Sequence, residues 1–213
     1  MTKRLKIIAS HIKSGGVFAD IGCDHGYVSK YVLENNLYNK VIATDISKNS
    51  LNKAKNLLKN FGSKVVFIVS DGFQEITESV DEAVISGMGG DEISSILKKA
   101  NNLPNRLVLS PQKNVKKVRE VLLKLHYKIL NDYTFFDKKF YDVIVAERGD
   151  DSYSEEEYIF GRDNLLFKPS DFILKLKNEE EKCLNIIKKL NLKNDNEIEN
   201  YLSKIRSVLY ENK

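Results

Sequence analysis

The segment Asp20-Ile-Gly22-Cys-Asp24-His25-Gly26-Tyr27 gathers two carboxylates, an imidazole and two glycines. It continues an apolar run at 17–21 (VFADI). A chain that leaves a strand through glycine and enters a helix brings backbone against a ligand, because Gly22 and Gly26 have no Cβ to block it. A dinucleotide site needs G-x-G-x-x-G, whose amides hold a pyrophosphate at a helix N-terminus. Here the spacing is G-x-x-x-G and the acids would repel a pyrophosphate. Two carboxylates suit instead a ligand carrying an ammonium and a sulfonium, the cations of S-adenosylmethionine. A tight turn with no ligand is the competing explanation of a lone glycine pair.

Further acids follow at matching places. Asp45, in Thr44-Asp45-Ile46, ends a second apolar run, roughly 20 residues on, where an acid bonds ribose hydroxyls. The alternative is that Asp45 only caps the next helix, a task Ser47 can do itself. Ser70-Asp71-Gly72 ends a third run and offers an acceptor for an adenine amino group, with the backbone amide at Gly72 against the ring. After a fourth run, Ser86-Gly87-Met88-Gly89-Gly90 allows a second backbone to come close, and Met88 supplies a polarizable wall where methyl and acceptor meet. After a fifth, Pro111-Gln112-Lys113-Asn114 presents two amides that could read a base edge, or simply form a turn and helix cap. The expected donor-binding set is therefore Asp20, Gly22, Asp24, His25, Gly26, Asp45, Ile46, Asp71, Gly72, Gly87 and Met88. Asp24 is the expected stabiliser of developing positive charge and Met88 a positioning wall, with no obligatory base. His25 is the candidate acid or base, but a structural role in the turn explains it better.

The elements that position these residues are legible as alternation. Apolar runs rich in Val and Ile at 17–21, 41–45, 65–69, 83–86 and 106–110 read as parallel strands buried on both faces. Helical stretches near 26–36, 48–60, 90–100 and 113–126 separate them. Residues 127–136 and 141–147 then form two strands joined by a short Asp-Lys-Lys turn, which requires an antiparallel pair. The fold class is α/β: a Rossmann-like sheet of parallel strands closed by an antiparallel hairpin, the strand inventory of class I methyltransferases, with ligands at the carboxyl ends of the strands. A nicotinamide oxidoreductase is disfavoured by the missing third glycine and by the hairpin.

Two domains are expected. Residues 1–150 carry the motifs, and 151–213 form a helical hairpin behind an acidic linker at 150–157. Ile173, Leu176, Glu180, Cys183, Ile187 and Leu190, then Ile198, Leu202, Ile205 and Leu209, make two coiled-coil-like stripes around a polar turn at Asn191–Asn196, with Glu180 as a flaw. The first 150 residues hold 23 Lys+Arg against 17 Asp+Glu (+6) and the rest 11 against 13 (−2), which favours a polyanionic partner for the first domain. No stretch reaches the roughly 20 apolar residues of a membrane span, and the amphipathic start of the chain is unlike a signal peptide, so the expected address is the cytoplasm with no membrane partner. Cys23 and Cys183 read as ordinary thiols, and no metal is expected.

With these motifs in place, the sequence resembles the bacterial tRNA adenine-22 N1-methyltransferases. RLKIIASHI, ADIGCDHGY, ISGMGG, SPQKN, VRE and FYDVIVAERGD carry the likeness, from Lys3 to Gly149 and more weakly into the C-terminal hairpin. The resemblance implies S-adenosylmethionine as donor, N1 of an adenine in the tRNA D-arm as acceptor, and tRNA as partner to a monomer or weak dimer. Cys23 stands where the family usually has Ser, Gly26 where it has Ala and Asp45 where Glu is common, while Ser110 and Lys113 depart after the fifth strand. RNA contacts are expected from Lys3, Arg4, Gly89, Gly90, Pro111, Gln112, Lys113, Asn114, Lys116, Lys117 and Arg119. A methyltransferase of a small molecule or protein, and a non-catalytic RNA-binding module, are the alternatives.

Overall fold

The computed structural model describes residues 1–190 and 196–210. Among them, seven strands form one sheet in the order β3-β2-β1-β4-β5-β7-β6. The parallel strands are β1 (Gly15–Ile21), β2 (Tyr38–Asp45), β3 (Val65–Val69), β4 (Glu82–Ser86) and β5 (Arg106–Ser110); β6 (Tyr127–Asp137) and β7 (Lys139–Arg148) close the sheet antiparallel. Lys138 alone turns this hairpin, at φ 65°, so the turn is tighter than the three residues expected.

Both faces of the central strands are buried, and side chains alternate between two cores as a pleat requires. Phe18, Val41, Val84, Val108, Val143 and Val145 enter one core; Ala19, Ile42, Ile85, Leu109 and Ile144 enter the other. The first core is covered by α1 (Lys3–Ser10), α2 (Tyr27–Glu34) and α3 (Lys48–Leu58), the second by α4 (Gly90–Lys99) and α5 (Val115–Lys124). The Thr2 and Ser47 hydroxyls cap α1 and α3, each accepting an otherwise unpaired helical N–H. Tyr38, Glu82, Arg106 and Glu147 form a polar knot at the amino ends of the parallel strands, with Tyr38 Oη 2.6 Å and Arg106 Nε 2.9 Å from Glu82.

The stretch read as an acidic linker is partly helical: Ser154 and Glu157 form a capping box that starts α6 (Glu155–Phe160), and α7 (Arg162–Phe167) follows. Then α8 (Ser170–Leu190) packs on α9 (Asn196–Tyr210). Leu176, Cys183, Leu202 and Ile205 are buried between them with Phe160 and Phe172. Glu180 interrupts the stripe because it pairs with Arg206 at 2.8 Å and accepts from Tyr210 Oη at 2.6 Å. Of the polar turn expected at Asn191–Asn196, residues 191–195 lie outside the described residues and Asn196 opens α9.

Candidate functional site

The chain runs β1-β2-β3 toward one side of the sheet and β4-β5 toward the other, so the carboxyl ends of β1 and β4 flank the point where strand order reverses. A crevice opens there in doubly wound sheets. It has two adjoining hollows. One, of about 390 Å³, is lined by Arg4, Asp20, Gly22, Cys23, Asp24, His25, Tyr27, Ser86, Gly87, Met88 and Gln112 among others. The other, of about 70 Å³, is lined by Gly22, Asp45, Ile46, Ser70, Asp71, Gly72, Met88, Glu92 and Ile96 among others. Gly22 and Met88 belong to both, so the acids after β1, β2 and β3 lie along one cleft.

Its glycines are sterically demanded. A Cβ on Gly22 would stand 1.9 Å from Met88 Cε, and one on Gly72 would stand 2.6 Å from Ile96 Cγ2; both residues have φ +68°. Gly26, at φ 74°, begins α2 and lies against Ala54 and Leu58. At these positions Met88, Ile96, Ala54 and Leu58 pack directly against the loop backbone, and the acid-lined cleft that this packing shapes fits an elongated adenosyl ligand.

The acids are not equivalent. Asp20 is buried, and its Oδ2 accepts from Ser29 N (3.0 Å) and Ser29 Oγ (2.6 Å). Burial pushes its pKa up to about 6; the Ser29 bonds oppose this and nearby Asp45 adds to it. Asp45 joins two turns, accepting from Asp24 N (3.1 Å) and from Ser47 N (2.8 Å), while Ser47 itself caps α3. Asp24 is exposed at φ 46°, 3.7 Å from His25 Nε2, and the His25 ring stacks on Tyr27 at 5.7 Å. Asp71 is exposed and pairs with Lys99 at 3.4 Å. Cys23 is buried beneath the turn, and its thiol is pushed up by burial and by Asp20, Asp45 and Asp24.

The β4–β5 side of the cleft is built by two loops zipped together. Gly90 N donates to Lys113 O (2.8 Å), Gln112 N to Met88 O (3.0 Å), and Gln112 Nε2 to Gly87 O (2.8 Å). A Cβ on Gly90 would stand 2.4 Å from Asn114 O. Gly90 and Pro111 are buried in this junction, so neither has a face for RNA; they bring the loops together instead.

Among the basic residues expected at RNA, Arg119 requires correction. It is 1% exposed, and its guanidinium makes two 2.7 Å bonds to Asp132 plus contacts to Tyr158 O and Ile159 O. It shares the inward arc of α5 with Val118, Val121 and Leu122, and so ties α5 to β6 and α6. Burial opposes its charge, but the Asp132 carboxylate outweighs that and raises its pKa. Lys3 Nζ donates to Phe136 O (2.7 Å); Arg4 lies 5.2 Å over the Tyr141 ring and lines the cleft. Lys113 and Gly89 touch at the loop junction, Lys116 faces Glu120 at 3.9 Å, and Lys117 pairs with Asp91 at 2.6 Å, beside Asn114 Nδ2.

Sequence reasoning missed a neighbouring hollow of about 570 Å³ between α1 and α2, lined by Met1, Lys6, Tyr27, Lys30, Tyr31 and Glu34. It shares Tyr27 with the cleft. The spacing of Tyr27 and Tyr31 one turn apart on α2 was the available signal.

Among the described residues no group of His, Cys, Asp and Glu is arranged to hold a metal, and no helix is long and apolar enough to cross a membrane. Residues 1–144 match the family model described as a methyltransferase domain. The tRNA (adenine(22)-N(1))-methyltransferase of Bacillus subtilis is 34% identical over 157 residues, 70% of this chain and 66% of that protein. The crystal structure of the B. subtilis m1A22 tRNA methyltransferase TrmK superposes with TM-score 0.88 at 28% identity, covering 98% of each chain. TrmK of M. capricolum, solved with S-adenosyl-homocysteine, gives TM-score 0.90 at 28% identity, covering 98% of this chain and 97% of that one. The chain belongs to the tRNA (adenine(22)-N(1))-methyltransferase family of methyltransferases.

Proposed function

We propose that the protein methylates N1 of an adenine in the D-arm of tRNA, position 22 by family, using S-adenosylmethionine. The observation that carries this reading is the divided cleft: acids and close-packed glycine turns toward β1–β3, and the zipped Gly87–Gly90 and Pro111–Asn114 loops toward β4–β5. The M. capricolum relative, solved with the demethylated product of that donor, supports the choice of ligand. When bound, the donor supplies an electrophilic methyl group on sulfonium.

This chain's part is to bind and orient. Asp45 binds the ribose hydroxyls and Asp71 the adenine amino group of the donor, while Gly22 and Gly72 let Met88 and Ile96 pack against the loop backbone that shapes the cleft. Asp20 and Asp24 suit the ammonium end. N1 of neutral adenine carries a lone pair, so no base has to remove a proton first; holding nucleophile and methyl in line accounts for most of the acceleration. Asp24 favours the positive charge that develops on the base. His25, stacked on Tyr27 at the rim, serves to shape the entrance.

RNA approaches over Lys3, Arg4, Lys6, Lys30 and the Lys113–Lys117 end of α5, and the target base has to leave its stack to reach the cleft. The helices beyond residue 151 act as an appended unit beside this surface, and the protein works in the cytoplasm as a monomer or weak dimer. The test is incubation of purified protein with labelled donor and unmodified tRNA, followed by nucleoside mapping. Label in N1-methyladenosine at position 22 is the expected result; label only in protein or small molecules, or none, defeats the reading.

A further inference from the structure

One side chain over the acceptor end of the cleft is held in a single orientation. The carboxamide of Gln112 donates from Nε2 to Gly87 O at 2.8 Å, and its backbone N–H donates to Met88 O at 3.0 Å. A backbone carbonyl accepts and never donates, so this contact settles which end of the amide is nitrogen. Nε2 is turned to Gly87, and Oε1 is left on the other side with no protein partner among the described residues. Gln112 lines the cleft beside Arg4, Ser86 and Gly87. Asn114, the other amide of this segment, does not line the cleft, and its Nδ2 is committed to Asp91.

We propose that Gln112 Oε1 accepts a hydrogen bond from the exocyclic amino group of the target base, and that this contact selects adenine over guanine. The proposal rests on the adenine-N1 reading above. Adenine places an amino donor beside a nitrogen with a free lone pair; guanine places a carbonyl oxygen beside an N–H. An oxygen acceptor fixed at this point pairs with the first edge and repels the second.

The same bond contributes to rate. In the transfer, a bond forms between N1 and the methyl carbon while the carbon–sulfur bond breaks, its electron pair remaining on sulfur; no proton moves. The positive charge gained by the base spreads onto its amino group, whose N–H bonds become stronger donors. An acceptor preset opposite them gains strength as the transition state forms. Loss of Gln112 Oε1 therefore lowers kcat as well as discrimination.

The test uses tRNA assembled with either adenosine or purine riboside at the target position; purine riboside keeps N1 and lacks the amino group. Initial rates are measured with the wild type, Gln112→Leu and Gln112→Glu, and donor Kd by calorimetry. The two nucleosides differ in intrinsic reactivity, but that difference cancels when the adenosine-to-purine ratio is compared between proteins. The wild-type ratio should shrink by about 10-fold or more in Gln112→Leu, as expected for leaving one polar group unpaired, with kcat on adenosine falling and donor Kd unchanged. Gln112→Glu keeps an acceptor while losing the N–H to Gly87 O, and should keep most of the wild-type ratio. The same ratio in wild type and Gln112→Leu, or its equal loss in both variants, would overturn the proposal. Absence of methylation of the adenosine substrate by wild type would overturn the parent reading with it.

Discussion

Met88 Cε rests directly over Gly22, only 1.9 Å from the point where a β-carbon on Gly22 would stand. The two residues come from loops after different strands, β1 and β4, and together they separate the two halves of the cleft. Alanine at Gly22 would collide with Met88 and be forced to φ +68°, a conformation costly for a residue with Cβ. Gly22→Ala should weaken donor binding by at least about 10-fold in calorimetry, while far-ultraviolet circular dichroism retains the folded spectrum. Adding Met88→Ala should recover part of the loss.

Asp45 does two tasks at once, which makes its removal informative. Its carboxylate holds Asp24 N and Ser47 N and lines the smaller hollow. Asp45→Ala should abolish measurable donor binding, whereas His25→Ala should retain substantial turnover. Equal donor affinity in wild type and Asp45→Ala would exclude a ribose-binding role.

The pH dependence of donor binding follows from Asp20. Its pKa rises from 3.8 to about 6, so between those values the folded protein holds a proton that the unfolded chain has lost. The sign is thus fixed: this group's stabilising contribution is complete below about pH 4 and is lost as pH rises through 6, amounting to about 3 kcal/mol. A cationic donor prefers the ionised carboxylate, so affinity should climb between about pH 5 and 7 and then level off. Asp20→Asn should flatten that profile; a profile unchanged by the substitution would remove Asp20 from the donor's contacts.

Arg119 should behave as a folding residue rather than an RNA contact. Arg119→Ala leaves Asp132 buried without its partner and should cost about 3–5 kcal/mol in denaturant unfolding. The double variant Arg119→Met, Asp132→Leu should recover much of this. In neither case should the salt dependence of tRNA binding change, in contrast to Lys113→Ala.

Why Arg119 was misread and Asp45 was not is a matter of what local sequence encodes. Strand placement depends on runs of branched apolar residues. The strands β1, β2, β4 and β5 are visible because both their faces are largely buried, and β3, a half-buried edge strand, is visible because its run is still unbroken Val, Phe and Ile. The acids at the carboxyl ends of β1, β2 and β3 follow from that alternation. Helix orientation is different: Lys116, Lys117 and Arg119 are chemically similar, and only the partner Asp132, on a strand thirteen residues away, turns one of them inward. The same blindness hid the zipped loops. That Gly90 donates to Lys113 O and leaves room for Asn114 O, and does not face a ligand, depends on two segments more than twenty residues apart meeting in space. The Tyr27–Tyr31 hollow needed α1 as its second wall.

That first helix also reaches across the molecule. Lys3 and the Arg4 backbone bind Phe136 and Asp137 at the tip of the closing hairpin, and the Arg4 guanidinium leans on Tyr141. Arg4's station at the crevice thus depends on the paired β6–β7 hairpin, far from it in the chain. A chain truncated before about residue 142 would own every acid of the crevice and still lack its finished wall. The crevice is thereby completed by the hairpin farthest from it in the sheet order.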